Sequence, residues 1–220
     1  MWFLNSGMTL ERALINILAS LLVLFVMIPL HEFSHGYIAY KFGDNTAKIN
    51  GRLTLNPIVH VSSLGAVWLI LFNFGWGNPV PVNYRNFKKP RLAMISVALA
   101  GLASNIIAAF LGAVAYNTLF LMSNSISHNV FEMLSMFFGA FIVINVKIAV
   151  FNLIPFSYLD GSKILESVLP SKILYKWYKH ERILTLVIFI LLLSGVLSMP
   201  LHVIQSTMIR WVFFTASFIK

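Results

Sequence analysis

Residues 13–30 carry no charge, and only Asn16 and Ser20 interrupt the apolar run with clear polarity. The pattern continues past His31, Glu32 and His35 to Tyr40. It predicts one helix of about 28 residues, tilted or kinked near Pro29. A cleaved signal peptide does not fit, because the run is too long and Glu11 and Arg12 make a weak basic flank. Residues 41–60 are polar, with turn signals at Gly43, Asp44, Asn45 and Gly51. Ile49, Leu53 and Leu55 alternate with polar neighbours there and predict a short strand or hairpin. Residues 61–76 are apolar but short for a crossing, and Gly75, Gly77, Pro79 and Pro81 close them. Residues 80–87 read as extended.

Residues 92–122 contain no charge and must span. A short loop at 123–130 without Lys or Arg leads into a second long apolar run, 131–156. That run contains Asn145, Lys147, Asn152 and Pro155. After a polar stretch at 157–182, residues 183–199 predict another span, and 201–220 are amphipathic or spanning, with Arg210 in their middle. The pattern predicts an all-α fold: a polytopic transmembrane helical bundle with a re-entrant or β-like membrane-associated insertion. One domain is expected over 1–220, with its core at about 13–165 and C-terminal helices at about 183–220.

Composition sharpens this. The chain is 59% hydrophobic and 10% charged, against roughly 45–50% and about 25% in soluble domains. A disordered chain, a soluble enzyme and a disulfide-stapled domain are excluded. The net charge of +9 reports basic loops rather than nucleic-acid binding. The basic stretches 41–60, 77–91 and 157–182 should face the cytoplasm, and 123–130 the outside. Basic flanks on both sides of 61–76 favour a re-entrant hairpin. The absence of Cys removes thiolate metal sites and cysteine nucleophiles.

His31-Glu32-Phe33-Ser34-His35 reads H-E-x-x-H. Four residues apart on a helix, His31 and His35 share a face and can reach one Zn²⁺, and Glu32 sits beside the water that the ion activates. With six His and five Glu in the chain, chance gives roughly 0.004 such matches. Three incidental polar residues would also be costly in lipid, at about 2.5–3.5 kcal/mol per ionisable group. A hydrolytic zinc site needs a third protein ligand and an open position. Ile38 and Lys41 stand where the metzincin pattern needs Gly and His. Asp160, Glu132, Glu166, His60 and His128 are the candidates. Asp160 is the best placed, after the helix breaker Pro155 and before Gly161. On residues alone it divides evenly between a ligand and a loop or N-cap aspartate.

Three motifs together resemble the site-2 proteases, the intramembrane zinc metalloproteases. They are HEFSH on an early span, Gly101-Leu102-Ala103-Ser104-Asn105, and Asn152-x-x-Pro155-x-x-x-x-Asp160-Gly161 on a later one. The similarity runs over about residues 24–163. Residues 51–57 and 78–83 resemble a compact subgroup without PDZ or CBS domains. The resemblance implies one zinc ion held by His31, His35 and Asp160, with Glu32 as the base. It also implies roles for Asn105 in donating to the oxyanion or positioning substrate, and for Asn152 and Pro155 in binding substrate. Helix–helix glue is an equal alternative for Asn105 and Asn152. Leu102 replaces a frequent Pro, and Phe156-Ser157-Tyr158 is poorer in Pro than is usual; neither change removes a ligand.

The resemblance implies a transmembrane protein substrate in a lipid bilayer and regulated intramembrane proteolysis. The expected location is a prokaryotic plasma membrane, with the active site toward the cytoplasm. Rival readings are a silent zinc-binding scaffold, which the retained Glu32 disfavours, and a metal-ion transporter, which would spread single ligands over many helices. The stretches 49–55 and 80–84 could hold an unwound substrate by strand addition. Lys147 has no assigned partner. Trp2, Trp76, Trp177 and Trp211 are candidate interfacial anchors, and the basic clusters 85–91 and 172–182 are topology determinants.

Overall fold

The computed structural model describes residues 9–73, 75–155 and 159–219. Trp2 and the Phe156-Ser157-Tyr158 stretch lie outside the described residues. Three helical stretches among those described are long and apolar enough to cross a membrane: Leu10–Lys41, Pro90–Leu121 and His128–Asn152. They make this an all-α membrane protein.

The first stretch is α1 (Leu10–Leu22), a π-helical turn (Val23–Met27) and α2 (Ile28–Lys41). Thr9 caps its start by accepting from the Arg12 N–H. The interruption expected near Pro29 is this π turn. Pro29 has no N–H, and its ring crowds the carbonyl four residues back. The wider turn absorbs the misfit, with the Ile28 N–H bonding to the Val23 carbonyl.

α6 (Pro90–Leu121) is the central helix and packs against α2, α7 (His128–Asn152), α8 (Asp160–Val168) and α11 (Ser198–Ala216). Small residues allow this. Ala93, Ala98, Gly101, Ala108, Ala109, Gly112 and Ala113 are all buried on α6, so neighbouring backbones approach closely. One core joins Val23, Leu24, Met27 and Ile28 to Leu69, Ala108, Ile144 and Ile148. A second joins Ala109, Ala113, Ile142, Val146 and Val150 to Val212 and Ala216 of α11.

The short apolar segment folds back on itself as a hairpin. α5 (Ser63–Phe72) has 10 residues, about 15 Å of rise against a hydrocarbon layer of about 30 Å. Ser62 caps it, and Asn73 ends it in the left-handed conformation at φ 53°. The chain then returns over α5, and three glycines make room. A Cβ at Gly65 would overlap the Trp76 carbonyl. One at Gly75 would meet Leu69 Cβ at 2.7 Å, and one at Gly77 would meet Ile28 Cγ2 at 2.6 Å. Val61 and Gly77 close the mouth in an isolated antiparallel bridge.

Two expectations give way. The strand foreseen around 49–55 is absent. Residues Thr46–Ile49 form the short α3, Gly51 turns the chain at φ 65°, and Pro57–His60 form the one-turn α4. The span foreseen at 183–199 is also broken. After α9 (Ser171–Lys179), α10 (Glu181–Leu193) has 13 residues, about 20 Å and too short to cross. Gly195 at φ 77° then turns the chain into α11. α11 packs on α6 and α7 through Val212 and Ala216, which places 198–216 in the bundle despite Arg210.

Asp44 fixes the loop layer at the α2 end of the bundle. Its carboxylate is fully buried. It accepts from the Thr46 N–H and hydroxyl, the Asn83 N–H at 2.7 Å and the Asn86 amide at 2.7 Å. Burial alone would raise its pKa, but these donors outweigh burial and hold it below the usual carboxylate value. Its stabilising contribution is therefore complete above the unfolded value of about 3.9 and fades as pH falls through the lower folded value. Asp44→Ala is expected to cost about 2–4 kcal/mol at neutral pH by orphaning those donors. Melting of wild type and variant in detergent across pH checks this, and the gap should shrink below about pH 4.

Candidate metal centre

His31 and His35 project from one face of α2 toward α6. Both are buried, as is Glu32 between them in sequence. The His31 Nδ1 lies 2.6 Å from the Asn105 side-chain oxygen, and the His35 Nδ1 lies 2.7 Å from the Val97 carbonyl oxygen. A carbonyl can only accept, so each Nδ1 donates, and the neutral form of each ring turns the lone pair of its Nε2 toward the other. The two Nε2 atoms stand 3.0 Å apart.

The third element arrives from α8. Asp160 opens that helix, and Gly161 lets it dock on the end of α7. A Cβ at Gly161 would lie 2.6 Å from the Ile154 carbonyl oxygen. The Asp160 carboxylate then spans both imidazoles, with Oδ2 3.4 Å from His31 Nε2 and Oδ1 3.3 Å from His35 Nε2. Burial works against this carboxylate, but His35 and His31 outweigh it and hold its pKa well below the usual range. Tyr84 is pushed up to about 12, by burial first and then by the negative charges of Glu166 and Asp160, and stays a neutral phenol.

The donor set fits a zinc ion. Ligands about 2.0–2.1 Å from a tetrahedral ion stand about 3.3–3.4 Å apart, close to the separations here. Two ring nitrogens crowd each other at 3.0 Å, and Asp160 Oδ2 is buried with no hydrogen-bond partner. Both features are costly without a cation between them. Among the described residues this is the one group of three such side chains whose ligand atoms all lie within 4.8 Å of one another.

The other candidate ligands lie elsewhere. His60 is buried and bonds through Nε2 to the Thr54 carbonyl. Glu166 pairs with Lys163 and accepts from Tyr178. His128 and Glu132 sit on the first turns of α7 and are solvent-exposed. Lys147 is partly exposed, five residues from the end of α7. That is about 7.5 Å of rise, within reach of its own side chain.

Two contacts were not visible in the chain pattern. Glu32 Oε2 accepts from the Val80 N–H at 2.8 Å, so the segment after the hairpin holds this carboxylate. Arg52 anchors the same segment by donating to the carbonyls of Asn78 and Pro79. Asn145 is the second. Its carbonyl oxygen accepts from the Asn105 amide at 3.1 Å. Asn105 is fully buried and has both ends of its amide engaged. Asn152 donates to the Ile148 carbonyl of its own helix, and Pro155 is exposed in the loop leading to α8.

The chain belongs to peptidase family M50, whose model matches residues 19–195. This is the site-2 protease family that the three motifs resemble. It is 40% identical over 189 residues to "Putative zinc metalloprotease YwhC" of Bacillus subtilis, covering 82% of this chain and 84% of that one. It is 34% identical over 145 residues to "Putative zinc metalloprotease Rip2" of Mycolicibacterium smegmatis, covering 62% of this chain and 52% of that one. No solved structure matches the chain.

Proposed function

We propose that this protein is a zinc endopeptidase that hydrolyses peptide bonds in or beside the transmembrane segments of other membrane proteins. The observation that carries the reading is the convergence of His31, His35 and Asp160 next to a buried Glu32 on a membrane-spanning helix. One zinc ion is the proposed cofactor. When bound, zinc lowers the pKa of water toward about 7 and polarises a carbonyl.

The remaining steps belong to the chain. Glu32 takes the proton of the attacking water and returns it to the leaving amine. Val80 fixes one carboxylate oxygen and leaves the other for that proton. Asn105 orients His31 with its oxygen and gives one of its two amide N–H groups to Asn145, which leaves the other as the proposed oxyanion donor. The Asn152 side-chain oxygen and Pro155, at the loop before Asp160, are proposed substrate contacts.

A helical substrate must unwind to expose its peptide bonds. Residues 80–84 are the proposed edge for an extended partner. Pro79 and Pro81 have no N–H, and the Val82 backbone forms no hydrogen bond among the described residues. Val82→Pro is expected to lower cleavage at least tenfold if this edge receives substrate. Unchanged cleavage would remove the edge from the account.

The basic stretches 41–60, 77–91 and 157–182 support a site toward the cytoplasm. Both named relatives come from bacteria, which supports a prokaryotic plasma membrane. Regulated intramembrane proteolysis, of a membrane-tethered regulator or a remnant signal peptide, is the proposed role.

The test is purified protein in lipid vesicles with a panel of single-span substrates, the cut mapped by mass spectrometry. Cuts in or beside the membrane segment, stopped by a chelator and restored by zinc, are expected. Cleavage that ignores the chelator, or no cleavage across the panel, would contradict the proposal.

A further inference from the structure

The two histidines of the metal centre are oriented in different ways. His35 donates directly to a backbone carbonyl, Val97. His31 has no such anchor. Its Nδ1 meets the side chain of Asn105 on α6, whose amide has two chemically different ends. An amide turned the other way would offer N–H to His31, move the imidazole proton to Nε2 and remove the lone pair that a metal needs.

We infer that Asn145 is a positioning residue which, through Asn105, fixes the ring of His31 in the metal-binding tautomer. The inference rests on the zinc site proposed above. The polarity starts at a group that cannot reverse. The Phe141 carbonyl only accepts, and the Asn145 amide nitrogen donates to it at 2.9 Å. The Asn145 oxygen therefore points away from it, toward α6. There it accepts from the Asn105 nitrogen at 3.1 Å. The Asn105 oxygen is left facing His31 at 2.6 Å, and His31 Nδ1 must carry the proton. Three hydrogen bonds thus run in one direction from a main-chain carbonyl of α7, across α6, to a ligand on α2. Asn105 and Asn145 are fully buried, so water has no place in the relay.

The test reads zinc affinity, by competition with a chromophoric chelator, alongside melting of the metal-free protein. Asn145→Leu frees the Asn105 amide to turn and should weaken zinc about 10–100-fold, as loss of an outer hydrogen-bond partner of a ligand does. Adding Asn105→Asp to Asn145→Leu installs a group that can only accept, with no wrong end. Zinc affinity should return to within about threefold of wild type. A packing role for Asn145 would not be repaired this way, because the double variant leaves the Leu in place. Wild-type zinc affinity in Asn145→Leu, or a double variant no better than the single one, overturns the inference. The protease reading fails separately, when the wild type binds zinc but cuts nothing. A wild type that binds no zinc overturns both.

Discussion

Gly101→Ala is expected to empty the metal centre. A Cβ at this position would lie 2.5 Å from His35 Cε1 and 2.7 Å from His31 Cε1. Something must move, and little can. α6 is packed against α2 along this contact. Each ring is tethered at Nδ1, to Asn105 or to Val97, so neither can rotate aside without breaking a buried hydrogen bond. Zinc affinity should fall by about 100-fold or more, in line with loss of ligand orientation, and cleavage should drop below detection. Overpacking should cost the metal-free fold about 1–3 kcal/mol, partly offset by the roughly 1 kcal/mol by which Ala favours a helix over Gly. Zinc content after dialysis, with melting of the metal-free protein, checks both parts. A Gly101→Ala protein that retains its zinc would contradict the placement of α6 against the two rings.

Glu32→Gln should separate metal binding from turnover. Glu32 is not one of the three clustered ligands. Gln keeps an oxygen that can accept from Val80, so the segment 78–82 and the zinc ligands stay in place. It cannot accept the proton of water. General acid–base catalysis contributes about 10²–10⁴-fold, and Glu32 is asked to act twice, so a loss of about 10³-fold or more in kcat is expected with KM little changed. Zinc should remain near the wild-type level. Initial rates with a cleavable single-span substrate, measured beside zinc content, decide the matter. Equal rates in both proteins would remove Glu32 from the chemistry.

Much of this site is legible in the chain because its signals are local. His31 and His35 are one helical turn apart, and lipid makes their polarity, and that of Glu32, expensive enough to notice. Glycines and basic flanks announce the hairpin. Signals that depend on distant partners are not legible. The alternation of Ile49, Leu53 and Leu55 reads as a strand. Capture of Thr46 by Asp44 and the turn at Gly51 instead wind that stretch into a short helix and a loop. The apolar run at 183–199 conceals one glycine at positive φ, enough to end a helix.

Val80 finds Glu32 across 48 positions, and Asn145 finds Asn105 across 40. The chain leaves Asn105 open between site residue and helix glue. Its hydrogen bonds to His31 and Asn145 join three helices. Asp160 was evenly divided on its residues alone. Docking of Gly161 on the end of α7 is what turns its carboxylate toward the histidines.

The most direct test of the account is X-ray absorption at the zinc edge of the purified, zinc-loaded protein, with metal counted per chain. One zinc per chain is predicted, with two imidazole nitrogens and carboxylate or water oxygens at about 2.0–2.2 Å. Asp160→Ala should remove one oxygen and keep both imidazoles. A third imidazole, or a zinc shell that Asp160→Ala leaves unchanged, would contradict the site formed by His31, His35 and Asp160.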